Sequence, residues 1–164
     1  MNQLTLFNKQ LVVFDAMVLI NFHGLYAFDK LINWAYGDIV IEKRVKNETT
    51  YSKAGEIEYE QYIAKGAIIE KTLKTEKHKN LFSHYLNKKI KKKIIDKGEA
   101  ACLALAISED FGIASDEKVV RQEFSRRCPG SVCVHSWGIV DMAVSLKLIS
   151  KRDGDDLKRG FYYV

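Results

Sequence analysis

Leu11 to Asn21, LVVFDAMVLIN, is the stretch on which the reading of the whole chain turns. Leu11-Val12-Val13-Phe14 is short, β-branched-rich and apolar throughout, the pattern of a strand covered on both faces of a parallel sheet. Asp15 then falls at the carboxyl end of that strand. In open α/β sheets ligands bind in the crevice outside the strands' carboxyl ends, but an aspartate there is also an ordinary helix N-cap. Which role Asp15 fills depends on what converges with it.

Outward from this stretch, strand and helix alternate. A helix begins over residues 18–21, is interrupted at Gly24 and resumes over 26–34, where Phe28, Leu31, Ile32 and Trp34 form one apolar face. Ile39-Val40-Ile41 is a second strand, and a helix over 43–51 carries Glu48 just beyond it. Residues 56–64 read as a helix closed by Gly66, and Ala67-Ile68-Ile69 as a third strand. Residues 76–93 read as a basic helix. GEAACLALAISEDFG, from Gly98, is a helix whose alanines permit close approach to a sheet, with Glu99 in its first turn. Gly112-Ile113-Ala114 is a strand ending in Ser115-Asp116-Glu117, a helix follows over 118–127, and Val132-Cys133-Val134 is the last strand. Ser136 is placed to cap the next helix, and a final helix spans 152–158. Phe161-Tyr162-Tyr163-Val164 reads as a tail packed on the body. The expected fold is a three-layer α/β domain with a mostly parallel sheet of about five strands and helices on both faces, spanning residues 1–164 as one domain.

Composition narrows the function classes. No apolar run approaches the roughly 20 residues of a membrane span, and MNQLTLFNKQ lacks the basic start and apolar core of an export signal, so a cytoplasmic location is expected. Cys102, Cys128 and Cys133 lack paired metal-ligand spacing and are expected as reduced thiols. Lys and Arg outnumber Asp and Glu by 26 to 21, a net +5. The excess gathers at Lys88, Lys89, Lys91, Lys92 and Lys93, a run that attracts phosphate backbones or simply solvates a helix end. The four histidines show no mutual ligand spacing.

Asp15, Glu48, Glu99 and Asp116 each lie after a strand or in the first turns of a helix, where one sheet edge can collect them. Carboxylates drawn together repel, and some must hold protons unless a cation sits among them. Hard oxygen donors without supporting histidines suit Mg²⁺ or Mn²⁺ better than zinc. Such an ion activates water and stabilises charge developing on a phosphate, so the implied chemistry is phosphodiester hydrolysis. Transfer through an aspartyl intermediate fits less well, because Met17 stands where a second aspartate is needed.

In order along the chain, VVFDAMVLI, IVIEKRVKNE ending at Glu48, GEAACLALA with Glu99, and IASDEKVVR with Asp116, Glu117 and Arg121 resemble the motifs of the PIN-domain family, specifically its compact PilT-like branch. SWGIVDMAVSLKLISKRDGDDLKRGFYYV resembles that branch's closing segment. The resemblance implies a metal-dependent endoribonuclease, often the toxin of a toxin–antitoxin pair, acting on RNA or single-stranded nucleic acid, with an antitoxin-like partner or a homodimer as its assemblies. It implies Asp15, Glu99 and Asp116 as ligands of Mg²⁺ or Mn²⁺, Glu48 as a further ligand or water-orienting group, and Asn21, Glu117 and Arg121 as auxiliaries. Arg121 has two readings, a contact to the scissile phosphate or an ion pair within the acids. Departures at Ala16, Met17 and Ala101 favour a rival, a binding or regulatory module that keeps the fold without turnover. Ala16 and Met17 replace a hydrogen-bonding pair that usually supports the first aspartate, leaving Asn21 as its substitute. Ala101 replaces a second glutamate, and Glu42 stands where proline is common.

Overall fold

The computed structural model describes residues 5–161; Tyr162, Tyr163 and Val164 of the expected tail lie outside the described residues. In chain order the elements are β1 (Val12–Phe14), α1 (Ala16–Gly24), α2 (Phe28–Trp34), β2 (Ile39–Glu42), α3 (Lys43–Glu48), β3 (Tyr51–Ser52), β4 (Gly55–Glu56), α4 (Tyr59–Ala64), β5 (Ile68–Lys71), α5 (Glu76–Tyr85), β6 (Lys89–Ile90), β7 (Lys93–Ile94), α6 (Lys97–Glu109), β8 (Gly112–Ala114), α7 (Lys118–Arg127), β9 (Cys133–Val134), α8 (Ser136–Ser145) and α9 (Lys151–Gly160).

Five strands form one sheet in the order β5-β2-β1-β8-β9, and every pairing in it is parallel. The helices flank this sheet, giving the three-layer α/β architecture that the alternation of the sequence predicts. The chain builds outward from β1 to β2 and β5 on one side, then returns to lay down β8 and β9 on the other. The order therefore reverses at β1, and Val12, Val13 and Phe14 pair there with Gly112, Ile113 and Ala114 of β8. Asp15 follows one of these strands and Ser115-Asp116 the other, at the switch point where such sheets bind ligands.

α6 explains why the two strands can meet under one helix. Ala100, Ala101, Cys102, Leu103, Ala104, Leu105 and Ala106 are all fully buried, and the helix packs on β1, β2 and β8. Small side chains bring its backbone close to the sheet; an added methylene group in so tight a layer costs about 1–3 kcal/mol. Phe161 at the start of the expected tail does pack on the body, its ring 5.1 Å from that of Phe22. All three cysteines are free thiols.

The expected basic helix over 76–93 is corrected. α5 ends at Tyr85, and the lysine run forms instead a two-stranded hairpin in which Lys89 pairs with Ile94 and Ile90 with Lys93. Its two-residue loop is Lys91-Lys92, with φ of 49° and 71°. Positive φ at both loop residues is what a type I′ hairpin turn demands. Residues 51–56 are a second small hairpin, so helix α4 begins at Tyr59 rather than at Glu56. Glu42, standing where proline is common, is fully buried and caps α3, accepting from Arg44 N at 2.6 Å and from Arg44 Nη1 at 2.7 Å.

Candidate active site

A cavity of about 270 Å³ opens at the switch point, lined by Asp15, Met17, Asn21, Glu48, Asp96, Glu99, Asp116 and Glu117 among others. All four acids singled out from the sequence border it. A fifth and a sixth, Asp96 and Glu117, border it too.

Asp15 caps α1 and also borders the cavity. Its carboxylate accepts from Ala16 N at 2.8 Å as the N-cap of α1, and its other oxygen accepts from Ser115 Oγ at 2.9 Å. The Cys102 thiol lies beneath it, 3.9 Å from Oδ1. Burial pushes Asp15 up to about 6, against the opposing pull of the Ala16 and Ser115 hydrogen bonds. Burial also raises the Cys102 thiol well above its ordinary value, which keeps it neutral under the carboxylate.

Glu99 and Asp96 form a capping box at the start of α6: Asp96 Oδ1 accepts from Glu99 N at 2.8 Å and Glu99 Oε1 from Asp96 N at 3.0 Å. Burial first, and then the charges of Asp96 and Asp15, push Glu99 up to about 7. Glu48 is the most open of the four, and partial withdrawal from water together with the Asp96 charge raises it as well. Its position depends on Gly98, because a Cβ there would lie 2.2 Å from Glu48 Oε1.

Asp116 is held from the other side. It accepts from Asn21 Nδ2 at 2.6 Å, from Ser136 Oγ at 2.6 Å and from Ser136 N at 2.7 Å, so the amino end of α8 is directed at it. Asn21 thus supports Asp116, and the hydroxyl that supports Asp15 comes from Ser115. Ser136, expected as a helix cap, spends its hydroxyl on Asp116; the capping position belongs to His135, which makes no side-chain cap bond.

The auxiliaries separate. Glu117 borders the cavity and stands 3.7 Å from Lys93 Nζ, which is also 3.5 Å from Glu99 Oε1. Arg121 turns away from the acids and donates from Nη1 to the Ser115 carbonyl at 2.9 Å, bracing the end of β8. The lysine run divides as well. Lys88 lies over the Tyr85 ring, Lys91 donates to Gln122 Oε1 at 3.1 Å, and Lys89 and Lys92 are exposed. Only Lys93 enters the acidic site. Ala101 is buried in α6 and contributes no carboxylate.

Sequence reasoning missed Asp96, Ser115 and Ser136. Asp96 was findable, since Asp-x-x-Glu ahead of an apolar run is a capping-box signature that fixes where α6 starts. The two serines carry no signal of their own: Ser115 matters through Asp15, 100 residues away, and Ser136 through Asp116, 20 residues away beyond α7 and β9.

An all-parallel sheet with a carboxylate-lined cavity at its switch point defines an α/β domain with an acidic candidate site. A family model described as PIN domain matches residues 11–151, and the chain belongs to the PIN-domain family. Comparison with curated proteins gives no match. PIN domains are generally nucleases and typically use divalent metal ions. The residues present fit such an ion in chemistry, since the donors are carboxylate oxygens, and burial together with neighbouring acids drives two of them toward their protonated forms. Among the described residues no three are drawn close enough to form a ligand shell as they stand. No helix among them is long and apolar enough to cross a membrane.

Proposed function

We propose that this protein is a metal-dependent endoribonuclease that cleaves phosphodiester bonds in RNA at the cavity bordered by Asp15, Glu48, Glu99 and Asp116. The observation that carries the reading is the convergence of these four acids from four separate elements on the switch point of a PIN-family sheet. Asp15, Glu99 and Asp116 are the ligands of Mg²⁺ or Mn²⁺ in this reading. When bound, the ion supplies charge stabilisation and a more acidic water. Glu48, open to solvent and set over Gly98, orients or deprotonates the attacking water, with a raised affinity for protons that suits a general base. Ser115 and Ser136 keep Asp15 and Asp116 facing the cavity. Lys93 supplies a fixed positive charge beside Glu99 and Glu117, and the exposed lysines of its hairpin draw the phosphate backbone toward the acids without taking part in chemistry. In the cell, this reading makes the protein the toxin of a toxin–antitoxin pair whose small partner blocks the site.

The test is paired. Asp15→Asn and Glu99→Gln are expected to lower single-turnover cleavage of a mixed RNA pool with Mn²⁺ by orders of magnitude, and to abolish the rise in thermal midpoint that Mn²⁺ gives the wild type. Cleavage that survives both substitutions would sink the proposed site.

A second reading, a nucleic-acid-binding or regulatory module without turnover, draws on the spacing of the acids, which leaves no ready ligand shell among the described residues. Under it, millimolar Mn²⁺ leaves the thermal midpoint where it was, and RNA binding survives chelation.

A further inference from the structure

A second cavity, of about 340 Å³, adjoins the acidic one and is lined by Asn21, Asp116, His135, Ser136, Trp137 and Phe161. Asn21, Asp116 and Phe161 line both cavities, so the two are halves of one groove divided by a shared wall. Their chemistry differs. One half is bordered by carboxylates; the other has an indole, an imidazole and a phenyl ring on its walls.

The wall itself specifies what the second half takes. Asn21 is 6% exposed, and its Nδ2 donates to the Asp116 carboxylate and, at 3.3 Å, reaches Ser136 Oγ. A carboxylate can only accept, so the orientation of the amide is fixed, and Oδ1 is left as a buried acceptor with no donor. A group bound beside it satisfies it by bringing an N–H or O–H. Phosphodiester oxygens bring neither, whereas a nucleobase or a ribose hydroxyl brings one. Trp137 is 37% exposed at the rim, with Lys158 Nζ 5.7 Å from its ring centroid, and Gly138 leaves room for His135, whose Nδ1 would lie 3.1 Å from a Cβ at that position. Aromatic walls of this kind stack bases irrespective of sequence.

We infer that the cavity between Trp137 and Asn21 is a nucleoside subsite, which seats the base and sugar flanking the scissile phosphate by stacking on Trp137 and donating to Asn21 Oδ1. The inference rests on the nuclease reading and adds to it the feature that fixes the strand's position. A subsite here sets which phosphate reaches the acids, because the nucleoside and its phosphate must occupy the two halves together.

The test measures binding of short single-stranded RNAs by fluorescence polarisation in Ca²⁺, using wild type, Trp137→Ala and Trp137→Phe, with a set of RNAs that each lack one base at a different position. Trp137→Ala is expected to weaken binding about tenfold or more, Trp137→Phe to stay within about threefold of wild type, and one missing base to cost the wild type as much as the alanine substitution does while costing Trp137→Ala nothing further. The Mn²⁺-induced rise in thermal midpoint should be the same in all three proteins, which separates loss of the subsite from loss of the fold. Wild type that binds RNA while Trp137→Ala binds it equally tightly overturns the subsite alone. Wild type that binds none of the RNAs overturns the nuclease reading together with the subsite.

Discussion

Asp15 and Glu99 are held where the proton is favoured, and the direction of that preference sets how stability responds to pH. Their folded values, about 6 and about 7, lie above the ordinary 3.8 and 4.5. Between the two sets of values the native state binds more protons than the unfolded chain, so the stability they contribute is complete below about pH 4 and is lost as pH rises through about 7. Metal-free protein is expected to lose unfolding free energy in urea between about pH 5 and about pH 7.5, and Asp15→Asn to flatten that slope and gain about 1 kcal/mol at the upper end. Stability that holds level or climbs over this range would show that the acids are not opposed in the native state. Gly98 gives a prediction of a different kind. Alanine there favours the helix by roughly 1 kcal/mol, but its Cβ would occupy the position of Glu48 Oε1. Because that atom is the end of a flexible side chain, Gly98→Ala is expected to leave the urea midpoint unchanged or slightly raised while impairing cleavage as Glu48→Gln does. A large drop in stability would mean that Glu48 is held too rigidly to move.

At the scale of elements, the lysine hairpin carries strain that ordinary sequence would avoid. Lys91 and Lys92 both occupy the left-handed region, where a side chain costs roughly 1–2 kcal/mol and where Asn-Gly is the favoured pair. Replacing Lys91-Lys92 by Asn-Gly is therefore expected to raise stability by about 1–2 kcal/mol and to lower the slope of log affinity for single-stranded RNA against log salt by about 0.7 for each phosphate left without its lysine. A gain in stability with an unchanged salt slope would place the strand's path elsewhere; the groove of Lys118, Arg121 and Arg126 on α7 is the next basic surface it could follow. The same hairpin shows where reading by residue type fails. Tyr85, Leu86 and Ile90 keep helical spacing and the loop lacks glycine, asparagine and proline, so nothing in KKIKKK announces a turn. β1 and β8 were legible for the opposite reason. Each is a short apolar run bounded by a turn and followed closely by a carboxylate, the pattern of a buried parallel strand ending at the sheet's carboxyl edge.

For the whole molecule, the parallel sheet followed from the alternation of elements, and with it the gathering of Asp15 and Asp116 at one sheet edge; the strand order that sets β8 beside β1 did not. What stayed illegible was the assignment of partners. Asn21 is on the helix that the first acid caps yet serves the fourth, while Ser115, adjacent to Asp116, serves Asp15. Such exchanges depend on side-chain directions at a junction of four elements, and spacing along one chain carries no record of them. Two of the hydrogen bonds that orient the acids, Asn21 to Asp116 and Ser115 to Asp15, join residues 95 and 100 positions apart. In a sheet with only parallel pairings, every one of these bonds waits for a crossover to close, and distant closures are the slow events of folding. Asp15 and Asp116 are therefore expected to come together late in folding, after the crossover that brings β8 beside β1. A half-folded molecule carries Asp15 and Asp116 apart, so the passage to the native state is itself the moment at which the cavity comes into being.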